Sequence, residues 1–98
     1  MNKQDKFLKL IKSLGVTKYL VTKGCRFTEE TPRFTLYLLT TGDNIERVNS
    51  SCYSFVENEY GYDDEDSSIT FPRAADLSLY DRLKLRGKDS LEEVFVNA

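Results

Sequence analysis

The side chains best placed to do chemistry lie between Glu57 and Asp66. Six carboxylates (Glu57, Glu59, Asp63, Asp64, Glu65 and Asp66) are interleaved there with Tyr60 and Tyr62. Carboxylates at this density pair with Lys and Arg, and their spacing imitates the closely set phosphates of a nucleic acid. Tyrosines beside charge suit an interface, because they bring buried area and a polar tip. The competing reading of the same run is a solvated loop that keeps the chain dispersed. Calcium is a poorer match. Asp64-x-Asp66-x-Ser68 begins like an EF-hand loop, which needs glycine at its sixth position and glutamate at its twelfth. Ile69 and Ala75 stand at those positions.

Other chemistries find less support. The chain has no histidine, which removes Ser-His-Asp and Cys-His catalysis, imidazole bases and most transition-metal sites. Its two cysteines, Cys25 and Cys52, have no CxxC spacing, and no four-ligand zinc set is available. Arginine lowers a thiol pKa, so Cys25-Arg26 with Arg33 suggests a thiolate, but no general base or Cys-x5-Arg phosphate loop accompanies it. Both thiols read as reduced, in a reducing, cytoplasmic setting, in preference to a disulfide. Asn49-Ser50-Ser51 fits a glycosylation sequon, which matters only for a secreted chain. The expectation is therefore a protein without cofactor, metal or enzymatic activity.

Charge is segregated along the chain. Residues 1–28 carry seven bases against one acid, Asp5, whereas residues 43–66 carry eight acids against one base, Arg47. The net charge of -2 conceals both. Such fields steer encounters and select partners, and say little about fold. The basic end offers an alternative binding face, Lys6, Lys9 and Lys12 on one side of the first helix. That face suits phosphates, but it is too sparse for stable membrane attachment. No apolar run exceeds four residues, so no membrane partner is expected.

Positioning these groups falls to a single domain over 1–98, of α+β class: a small antiparallel sheet of about three to four strands with two to four helices on one face. Phe7, Leu8, Leu10, Ile11 and Leu14 share one arc of a helix over Lys3–Leu14, with Gly15 as its left-handed cap. This segment reads as a docking helix in preference to a signal peptide. Val16–Thr22 and Arg33–Thr41 read as strands, and Cys25–Thr28 as a short strand or a continuation. The second of these is apolar on both faces and so central. A second helix over 44–58 sets Ile45, Val48, Cys52, Tyr53, Phe55, Val56 and Tyr60 in one arc, with Asp43 and Glu46 as its capping box. Only Asn49 and Glu59 interrupt its apolar arc. Ser68–Phe71 reads as a short strand closed by Pro72. Asp76–Arg86 reads as a helix ending at Gly87, in preference to a hairpin built on its LSL and LKL doublets. Ser90 with Glu93 predicts a short closing helix docked through Leu91, Val94 and Phe95.

The functional expectation is a small non-catalytic binding module with a protein partner that presents a basic surface. In size and charge alone it is similar to the small acidic proteins that phages and mobile elements direct against host defence nucleases. The alternative is a nucleic-acid-associated protein that uses the basic N-terminal helix. Direct nucleic-acid binding is the weaker of the two, given an acidic pI of about 5.1 and no helix-turn-helix, RNP or GxxG pattern. Self-association is a further expectation, the basic helix of one copy meeting the acidic run of another.

Overall fold

Asn2 starts the first helix. Its side-chain oxygen accepts the Asp5 N–H at 2.8 Å, satisfying one of the free donors that begin any helix. Helix α1 then runs Lys3–Ser13 and buries Phe7 and Ile11, with Leu14 just beyond. Gly15 takes the left-handed conformation (φ 84°) and turns the chain into strand β1, Lys18–Thr22. The computed structural model describes residues 2–25, 35–61 and 70–96. Within these follow β2 (Leu36–Leu39), a short 3-10 turn (Gly42–Asn44), α2 (Ile45–Tyr60), β3 (Arg73–Ala75), α3 (Leu77–Arg86) and β4 (Leu91–Phe95).

The strands form one sheet in the order β3-β2-β1-β4. Strand β1 pairs antiparallel with β2 on one side (Leu20↔Tyr37) and with β4 on the other (Leu20↔Glu93). Strand β3 is parallel to β2 (Leu38↔Ala74). The α+β class and the expected numbers of strands and helices hold, and two details differ. The sheet is mixed, because α2 carries the chain from β2 back to its starting edge, the crossover a parallel neighbour requires. The helices also lie on both faces. Tyr19 and Val21 join Phe7, Ile11, Val48, Cys52 and Val56 in one core beneath α1 and α2. Leu20, of opposite pleat, joins Ala75 and Tyr80 under α3. A strand buried on both faces needs cover on both.

The last element corrects the expected closing helix. Leu91, Val94 and Phe95 have helical spacing, yet residues 91–95 form β4, paired along all of β1. Without it, β1 would present an apolar strand edge to water. The expected strand at Ser68–Phe71 lies partly outside the described residues. Phe71 and Pro72 are in no strand, and β3 begins after the proline. Arg73-Ala74-Ala75 has little strand propensity; its pairing with β2 makes it a strand. Cys25 is in no strand, and 26–28 lie outside the described residues.

The expected Asp43–Glu46 capping box does not form. Asn44 is the N-cap of α2 and makes no side-chain cap bond. Its amide donates instead to the Leu14 carbonyl (3.0 Å) and to Thr40 Oγ1 (3.2 Å), tying the end of α1 to the start of α2. The two residues that interrupt the apolar arc of α2 are ties of the same sort. Asn49 Oδ1 accepts the N–H of Ala74 at 2.7 Å, and Glu59 meets Lys6.

Candidate functional site

The C-terminal turn of α2 holds the described part of the acidic site. Val56 is fully buried and roots the turn in the core. Gly61 closes it in the left-handed conformation (φ 73°), its N–H donating to the Glu57 carbonyl at 2.9 Å. Glu57 is exposed, and Glu59 and Tyr60 are half-buried. Tyr62, Asp63, Asp64, Glu65 and Asp66 lie outside the described residues.

Helix α1 meets this turn with its own charges. Lys6 Nζ is 3.3 Å from Glu59 Oε1, and Lys3 Nζ sits 4.1 Å from the centroid of the Tyr60 ring. An ammonium over an aromatic face is attracted by the ring quadrupole. Burial, and then the neighbouring Glu59 carboxylate, push the Tyr60 hydroxyl above its ordinary pKa, so it stays protonated and able to donate. Phe7 and Phe55 back the contact, with ring centroids 5.5 Å apart. The two faces expected to compete for partners are thus joined at one corner. Lys6 belongs to that joint, while Lys9 and Lys12 remain exposed further along α1.

A second polar cluster lies under α3 and escaped the sequence reading. The Glu93 carboxylate accepts the Tyr80 hydroxyl (2.9 Å) and faces Lys84 (3.2 Å) and Lys18 (3.4 Å). Burial alone would raise the Glu93 carboxyl. The Tyr80 and Lys84 hydrogen bonds and the two lysine charges outweigh it and hold the group below its usual range. Tyr80 is driven the other way, first by burial and then by Glu93. The hydroxyl therefore donates and the carboxylate accepts. The ring of Tyr80 is completely buried, and a buried hydroxyl without a partner would be costly. The apolar spacing of Leu91-Glu92-Glu93-Val94-Phe95 is helical, so no local pattern pointed to the strand that brings Glu93 to Tyr80.

An open groove of about 740 Å³ lies beyond the carboxyl ends of β2 and β3. Leu14, Thr17, Leu39, Thr41, Leu77 and Ser78 are among its lining. Its volume suits a small ligand, but its main polar groups are already engaged. Asn44 holds Leu14 and Thr40, and Asp76 caps α3 by accepting the Leu79 N–H at 2.9 Å. Among the described residues no group of three or more Cys, Asp or Glu is arranged to hold a metal ion. Both thiols are free. Burial pushes the Cys52 thiol up to about 12, which makes it a poor nucleophile. No described helix is long and apolar enough to cross a membrane. Comparison with known proteins finds no matching family model, no matching curated protein and no matching solved structure.

Proposed function

We propose that this chain is a non-catalytic binding module whose acidic corner, Glu57, Glu59 and Tyr60 with the run through Asp66, engages a basic surface on a protein partner. The observation that supports this most is the brace formed by Lys3 and Lys6. It uses basic charge from α1 within the chain and leaves Glu57 exposed, next in sequence to a run with acid in excess. It also fixes the root of that run, which lowers the ordering cost of binding. A partner's Lys and Arg pair with the carboxylates while tyrosine supplies area. The target class that fits is a nucleic-acid-binding protein whose groove the acidic run occludes, with inhibition as the result. An inhibitor of a host defence nuclease, carried by a phage or mobile element and acting in the cytoplasm, is the finer form of the reading.

The test is capture from nuclease-treated lysate with two baits: the native chain, and one carrying Asp63→Asn, Asp64→Asn, Glu65→Gln and Asp66→Asn. The reading expects one protein retained by the native bait and lost from the neutralised one. Equal capture by both overturns it. If neutralisation instead strengthens retention of nucleic acid, the basic helix is the binding face.

A further inference from the structure

Among the described residues, the outer side of β4 is the surface with the clearest unused capacity. The Val96 N–H donates to the Thr17 carbonyl and the Lys23 N–H to the Ser90 carbonyl, each at 2.9 Å. These bonds fix the ladder. Even-numbered residues of β4 bond to β1, while Leu91, Glu93 and Phe95 turn their backbone groups outward. The Leu91 N–H is taken by the Gly87 carbonyl at 2.6 Å. The N–H groups of Glu93 and Phe95, and the carbonyls of all three, face the end of the sheet, where the strand order stops. Beside them Phe95 is 55% exposed, unusual for an aromatic residue inside a strand.

We propose that β4 docks on the β4 of a second copy of this chain, antiparallel about a two-fold axis through Glu93, to give one continuous eight-stranded sheet. The strand is self-complementary in that register. The two Glu93 residues face each other and exchange two backbone hydrogen bonds. The Phe95 N–H of each copy reaches the Leu91 carbonyl of the other. On the α3 face each Phe95 ring falls opposite the Leu91 side chain of the other copy, an apolar cross-strand pair at both ends. Each Glu93 is already paired within its own copy by Lys18 and Lys84, so the two carboxylates do not meet as bare charges and the Leu91–Phe95 pairs carry the contact. An isologous contact of this kind closes on itself and stops at two copies. It is independent of the acidic corner on α2.

The test is molar mass by light scattering over a broad range of protein concentration, on the native chain, Phe95→Lys and Phe95→Pro. Lysine on an edge strand opposes strand pairing, and proline removes the outward N–H while leaving the ladder to β1 intact. The expected result is a native dimer and two monomeric variants with unchanged far-ultraviolet circular dichroism. In a mixture of labelled and unlabelled native chains, isotope-filtered NOEs should join the Leu91 methyls to the Phe95 ring of the other copy. A native chain that stays monomeric at every concentration overturns the proposal. So does a dimer that Phe95→Lys leaves intact, or one that lacks those NOEs.

Discussion

At one end of the sheet β3 is three residues long, follows a proline, and has the N–H of Ala74 capped by Asn49 from α2. At the other end β4 is five residues long, with Phe95 half in water and, among the described residues, only the Leu91 N–H of its outward donors taken, by the Gly87 carbonyl. Edges with free donors and acceptors invite further strands, and proteins blunt the ones they do not use. The contrast shows where the chain has invested in closure. Asn49 interrupts an otherwise apolar helix face, and it is placed where its oxygen meets one backbone donor. Among the described residues no side chain is directed in the same way at the outward N–H groups of β4, whose Glu93 turns its side chain inward to Tyr80, Lys84 and Lys18.

Three perturbations test that contrast. The largest effect is expected where β4 begins. A Cβ on Gly87 would lie 2.5 Å from Leu91 Cδ1 and 3.1 Å from the Leu83 carbonyl. Gly87→Ala should therefore cost about 1–3 kcal/mol through overpacking and shift the start of β4. Urea unfolding gives the magnitude, and hydrogen exchange at Glu93 and Phe95 shows whether the strand has moved. Next comes the closed edge. Asn49→Ala leaves the Ala74 N–H without its partner and should cost about 1–2 kcal/mol, because the site is only partly buried and water replaces some of the bond. It should also make the chain aggregate faster on heating, which light scattering during a thermal ramp records. Unchanged stability and aggregation would show that Asn49 does not guard that edge.

The smallest effect is acid dependence at the open edge. The Glu93 carboxyl has a lower pKa folded than unfolded. Its contribution is therefore complete above the ordinary carboxylate range and disappears as pH falls through the folded value. Native and Glu93→Gln chains should differ in urea midpoint at neutral pH and converge in acid. A constant difference across that span would remove the ion-pair account of the cluster.

Periodicity made much of this fold legible. The helices at Lys3–Ser13, Ile45–Tyr60 and Leu77–Arg86 and the two central strands follow from apolar spacing and β-branched content. The edges were not legible, for separate reasons. Arg73-Ala74-Ala75 has no propensity to betray a strand and depends on β2 for its conformation. Leu91, Val94 and Phe95 have helical spacing, and the need of β1 for a second neighbour overrides it. The acidic corner could be found by counting charge. Its brace could not, because Lys6 and Glu59 are 53 positions apart and only the packing of α1 on α2 brings them together. Asn49 and Glu59 looked like flaws in an amphipathic helix, and both proved to be links to other elements.

The pairing of β1 with β4 also governs when the molecule can be complete. Lys18 waits for Phe95, so β1 is joined on one side by a strand made much later in synthesis. Until then α1, β2 and α2 can gather on one side of β1, while its far flank stays open. Loops of that span close slowly, because their entropy is spent before any contact rewards it. Synthesis thus holds the nascent chain in a half-sheet state until β4 arrives, and a chain that stops short of β4 keeps one flank of β1 unsealed.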